Sequence, residues 1–160
     1  MKTRFMAGAL AVVALLASGT ADAKHHRPAK VAAARHSTSG LAVIPLTVTT
    51  GKAAHRFRVE VAASPDEQEK GLMFRTAMGA DEGMIFPMRP AREATFWMKN
   101  TILPLDIVFI GPDRRIANII VARPYDLTPL PSAGPVIGVL ELNAGRTAAL
   151  GIRPGDRVEW

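Results

Sequence analysis

The chain predicts a mainly β fold: a single compact sandwich- or barrel-like domain over residues 41–160, with one or two short helices. Three observations predict it. Short apolar and β-branched runs recur between turns rich in Gly, Pro and Asp. Only two stretches carry a helix start, and no strand–helix–strand alternation is visible, which argues against a parallel α/β sheet. Third, His55 to Val61 alternates with period 2, the pattern of a strand with one wet face.

Taken in order, Ala42 to Thr49 is β-branched and interrupted by Pro45, as suits an edge strand. After the turn at Thr50-Gly51-Lys52, His55 to Val61 returns as its hairpin partner, with Phe57, Val59 and Val61 inward and Arg56, Arg58 and Glu60 toward water. Ser64-Pro65-Asp66-Glu67 starts a helix: Ser64 caps, Pro65 fits the first helical position and Glu67 can reach back to the cap. Gly71 falls at its end, so Leu72, Met73 and Phe74 become buried, with Arg75 just past it. Met84 to Met88 is a short apolar strand closed by Pro87 and Pro90, and Glu93 to Met98 is the next. Leu105 to Ile110 is apolar on both faces, and Arg115 to Val121 pairs with it across the turn at Gly111-Pro112-Asp113. The loop 122–135 carries four prolines. Val136 to Leu142 is a strand, Asn143 caps a short helix through Leu150, and Arg157 to Trp160 ends the chain as a strand.

The N-terminus reads as an address. Lys2 and Arg4, an apolar run from Phe5 to Ala17 and Ala21-Asp22-Ala23 together match a secretory signal peptide over residues 1–23. The expected location is periplasmic or secreted. No later run is long enough for a transmembrane segment. There is no cysteine, so stability rests on an apolar core. Residues 24–40 form a basic, disordered linker holding Lys24, Arg27, Lys30 and Arg35 without an acid. Taking those four, Lys2, Arg4 and Asp22 from the totals of 20 basic and 14 acidic residues leaves 14 basic against 13 acidic. That balance excludes a nucleic-acid footprint; the tail is a solvated linker or touches anionic lipid or wall polymer.

The chemistry is narrowed by exclusion. His55 is the one histidine of the domain, so neither a nucleophilic triad nor a zinc cluster can be assembled, and glycine-rich phosphate loops are absent. What stands out is charge within apolar sequence: Arg75, Lys99, Asp106 and Glu141. Asp106 shares a strand face with Val108 and Ile110, and Glu141 shares one with Ile137 and Val139, so each carboxylate needs a partner. The four could neutralise one another in a salt-bridge network. Alternatively they floor a polar cleft with Trp97 as aromatic wall, or Asp106 and Glu141 act as acid and base on envelope glycan if they stand ~5 to 9.5 Å apart. Met73, Met78, Met84, Met88 and Met98 crowd one region and allow a soft-metal, copper-binding reading, although methionine is also a core filler. Cleavage after Ala23 would leave Lys24-His25-His26, a square-planar copper or nickel motif, at the new N-terminus.

VEVAASPDEQEKGLMFR from Val59, DEGMIFPM from Asp81, FWMKNTILPLDIVFI from Phe96, VLELNAG from Val139 and GIRPGD from Gly151 closely resemble domain-of-unknown-function family 192. The resemblance implies a small, mainly β, often exported domain without an assigned activity. Its polar motif positions fall on Arg75, Lys99, Asn100, Thr101, Asp106 and Glu141, with Trp97 and Met98 beside them. Pro87 and Arg89 depart from the hydrophobic continuation usual after GMIF. The expectation is a non-enzymatic module binding a small polar or saccharide-like ligand, or a partner's chain end. Lys99 and Arg75 would pair with an anion, Asn100 would offer its amide and Trp97 would stack; no cofactor is expected, and the catalytic and copper readings are the alternatives.

Overall fold

A computed structural model describes residues 39–160; the leader, the linker up to residue 38 and Lys24-His25-His26 lie outside the described residues. The domain is mainly β, as the alternation predicts. Nine strands and two short helices run in the order β1 Val43–Thr49, β2 Ala54–Val61, α1 Pro65–Lys70, β3 Glu82–Arg92, β4 Thr95–Phe96, β5 Leu105–Ile110, β6 Ile116–Ala122, β7 Leu130–Pro131, β8 Val136–Asn143, α2 Arg146–Leu150 and β9 Arg157–Glu159. Seven strands form one mixed sheet in the order β6-β5-β8-β3-β2-β1-β9, while β4 and β7 pair separately. The sheet curls until its edge strands touch at the single bridge Arg115–Arg157. It stops short of a closed barrel.

Curling explains why the central strands are apolar on both faces. On the inner face Phe57, Val59, Ile85, Val108, Ile110, Leu140 and Leu142 pack with Leu46, Val48 and Val158. On the outer face Met84, Phe86, Met88, Leu105, Ile107, Phe109 and Val139 are covered by Leu72, Ala94 and Met98 from the connecting segments. Every residue of β5 is therefore buried. No helix among the described residues is long and apolar enough to cross a membrane.

Four local expectations need correction. β3 does not stop at Met88: it runs from Glu82 to Arg92 against β8, with Pro87 opposite Gly138 and Arg92 opposite Val136 across a bulge. Its pairing with β2 ends at Ile85, and the Pro87 carbonyl on that side accepts from the Gln68 side chain, 3.0 Å. The missing N–H therefore falls where no ladder needs it. The strand read over Glu93–Met98 shrinks to two residues, because its partner is the proline loop and not the main sheet. Asn143 does not cap α2; its amide donates to the Met78 and Gly79 carbonyls, both 3.0 Å. Phe74 is 68% exposed, not buried, because its φ of +63° turns the chain outward.

Candidate functional site

Glu141 stands in β8 between Met84 of β3 and Ile107 of β5. Its strand neighbours Leu140 and Leu142 belong to the inner core, so period 2 aims its side chain at the outer face. Only 5% of the residue is exposed. Among the described residues no donor or cation meets the carboxyl, and burial alone pushes its pKa up to about 8. Glu141 lines a cleft of about 420 Å³, bounded by Gly71 to Met73 on one side and Phe96 and Trp97 on the other, with Phe86 and Met88 beneath. The Phe96 ring meets Phe86 edge-on at 5.1 Å and Phe109 at 6.1 Å, a geometry that fixes the wall.

The walls are set locally. Ser64 accepts from the Glu67 N–H at 3.3 Å while the Glu67 carboxylate accepts from the Ser64 N–H at 2.8 Å, the capping box that the sequence predicts. These bonds hold the Glu67 carboxyl below its usual range. Gly71 ends α1 with φ +46° and ψ −131°, a conformation open essentially to glycine. A Cβ there would meet the Phe86 ring at 3.3 Å, so only glycine lets the chain cross the aromatic floor. Gly83 is required on β3: a Cβ would stand 2.5 Å from the Glu141 carbonyl.

Beyond α1, Arg75 grips Glu60 with both guanidinium nitrogens at 2.7 Å. That hydrogen-bonded carboxylate raises the Arg75 pKa, and the Ser39 hydroxyl also donates to Glu60, 2.7 Å. Glu60, expected in water, is 8% exposed. The cause is plain: Arg56 and Arg58 on this face stay exposed, but at Glu60 the Arg75 side chain covers it, so the alternation named the face but not its cover. Glu60 lies opposite Met84, which lies opposite Glu141; the two carboxyls thus share a face, two strands apart. Glu60 and Arg75 line a second cavity of about 960 Å³ that shares Lys70, Gly71 and Met73 with the first.

The four embedded charges do not neutralise one another. Asp106 is fully buried on the inner face, accepting from the N–H groups of Gly145 and Thr147 at 2.9 Å each and the Thr147 hydroxyl at 2.7 Å. It caps α2 from across the sheet, a task no side chain of that helix performs. Asp106 and Glu141 therefore occupy opposite faces and cannot flank one substrate as an acid and base pair. Lys99 lies over the Trp97 ring, 5.3 Å from its centroid, outside the cleft. Met98 is core, and Asn100 reaches the Met73 sulfur at 3.9 Å. Of the predicted set, Trp97, Thr101 and Glu141 line the cleft together.

The loops next to the cleft carry backbone strain. Phe74, Asn100 and Tyr125 have φ of +63°, +53° and +61°, a region unfavourable to bulky residues. The Phe74 N–H donates to the Asn100 carbonyl at 2.9 Å, and the Tyr125 N–H donates to the carbonyl of the next residue, Thr101, at 3.2 Å. Of the crowded methionines, Met84, Met88 and Met98 are buried; Met73 and Met88 meet at the cleft. Among the described residues no group of three His, Cys, Asp or Glu side chains could hold a metal ion. Sequence reasoning passed over Phe86, Phe96 and Glu60; the GMIF and FWMKNT motifs contained the two rings, but nothing in them marked an opening.

No curated protein matches the chain. Among solved structures, it is 58% identical to a protein of unknown function from Novosphingobium aromaticivorans DSM 12444, covering 81% of this chain and 93% of that one with a TM-score of 0.78. It is 42% identical to a candidate transcription regulator from Sinorhizobium meliloti 1021, covering 74% and 94% with a TM-score of 0.72. The family model DUF192, described as "Uncharacterized ACR", matches residues 46–160, so the chain belongs to domain-of-unknown-function family 192.

Proposed function

We propose that the domain is a binding module whose ligand enters the cleft over Glu141, lays an apolar face on Phe86, Phe96 and Met88, and bonds the carboxyl. One observation carries this reading: a buried carboxyl aimed into an aromatic-walled cleft without a partner among the described residues. A ligand that brings a donor to this carboxyl adds a hydrogen bond worth about 0.5–1.5 kcal/mol net. Concave, mostly apolar sites with a few convergent polar groups are the usual form of small-ligand pockets. A saccharide ring or a partner's chain end combines such a face with such a group. The leader-like first 23 residues support a module that works in the periplasm or beyond, with its ligand drawn from the cell envelope.

Chemical-shift mapping with mixtures of small saccharides and aromatic fragments tests this. Shifts confined to Phe96, Trp97, Thr101 and Glu141, lost in Trp97→Ala, are expected. Fragments that perturb only other surfaces would sink the proposal.

A further inference from the structure

We infer that the cleft takes a cation on an apolar stem, a primary or quaternary ammonium, whose charge meets the Glu141 carboxylate among the Phe86, Phe96 and Trp97 rings. This rests on the binding reading above and names the ligand's class. A carboxyl in apolar surroundings lacks a counter-charge, and no protein cation reaches it among the described residues. Phe and Trp rings attract cations through their quadrupoles, and Phe86, Phe96 and Trp97 line this cleft; Trp97 already holds the Lys99 ammonium 5.3 Å from its centroid. A neutral ligand can share a hydrogen bond with the protonated carboxyl, but only a cation supplies the counter-charge that lets it ionise in apolar surroundings.

The other charged groups on the cleft are Glu69 and Lys70 of α1, Arg92 of β3 and Glu93 beyond it; two of each sign leave little net field. The flanking strands present Met84 and Ile107 beside Glu141. Glu141 is thus the group whose charge responds to the ligand. Burial holds it as the acid; a bound ammonium stabilises the carboxylate, and the O–H proton leaves to solvent. No other bond changes. Binding a cation and releasing a proton are one event.

Isothermal titration calorimetry of the full chain tests this with 2-phenylethylammonium and its neutral counterpart 2-phenylethanol, at pH 6 and pH 8, in two buffers of unlike ionisation enthalpy. With Glu141 titrating at about 8, the ammonium is expected to bind about fifty-fold more tightly at pH 8 than at pH 6, releasing close to one proton at pH 6. Glu141→Gln, checked for folding by circular dichroism, should lose both effects. If 2-phenylethanol binds as tightly with no proton released, the binding reading stands and the cation assignment falls. If neither compound binds at millimolar concentration, both fall. An unchanged pH dependence in the Gln variant would also overturn the assignment, and the proton count in the unaltered chain decides it independently of any variant.

Discussion

Replacing Glu141 by Gln should stabilise the empty protein, by an amount that grows with pH. Burial lifts the carboxyl from its ordinary 4.5 to about 8, so between those values the folded state holds a proton that the unfolded chain has shed. The linkage slope is then negative: stability falls as pH rises through the window and levels off above about 8. At 1.36 kcal/mol per pH unit the full span is at most about 5 kcal/mol, and the part falling between pH 5 and pH 7.5 is about 3 kcal/mol. Glutamine keeps the shape and never ionises. The variant should therefore lead by about 1 kcal/mol at pH 5 and by about 4 kcal/mol at pH 7.5, a widening of about 3 kcal/mol. In urea unfolding that difference is a midpoint gap of about 2 M at the slopes usual for this size. Subtraction removes every other titrating group. A gap that stays constant from pH 5 to 7.5 would mean that Glu141 is not held protonated by burial, and the account of the cleft would fail with it. A side chain whose removal stabilises the fold is the pattern expected of a site kept for function.

Asp106→Ala should cost about 3 kcal/mol or more, because it strands the N–H and hydroxyl of buried Thr147 and removes the partner of the Gly145 N–H; hydrogen exchange should show α2 opening first, and a loss below 1 kcal/mol would refute the capping role. Glu60→Gln weakens the fork to Arg75; since the guanidinium is partly exposed, about 1–2 kcal/mol is expected by chemical denaturation, with the amides of residues 72–76 exchanging faster. Gly71→Ala faces both a positive φ and the Phe86 ring, so it should lower stability by about 1–3 kcal/mol and disturb the Phe86 and Phe96 ring signals. An unchanged spectrum would show that the crossing does not shape the cleft.

Much of the frame was readable because its causes are local. The hairpin of β1 and β2, the Ser64–Glu67 capping box and the β5–β6 turn each depend on residues a few positions apart, and the structure has all three. The pattern also marked Asp106 and Glu141 as buried, since a carboxylate within an apolar strand can hardly be elsewhere. Their partners were not readable. Thr147 meets Asp106 from 41 positions away, and Arg75 meets Glu60 from 15, through pairings that no single strand pattern encodes. Glu60 and Phe74 were misplaced for a related reason: whether a strand face is wet depends on what crosses it, and whether a residue after a helix turns in or out depends on the sign of φ.

From the sequence alone came the β class, the strand boundaries near Leu105–Ile110, the α1 cap, the family and the short set of charges in apolar surroundings. Tertiary structure alone decided which of those charges was answered. Asp106 found backbone donors, Arg75 found Glu60, and Glu141 found none among the described residues, because the pleat sends alternate residues of β5 and β8 to opposite faces and the start of α2 meets only the face of Asp106. Burial is a property of one strand and its pattern; the compensation of a buried charge requires two distant segments to meet, and only the folded chain brings them together.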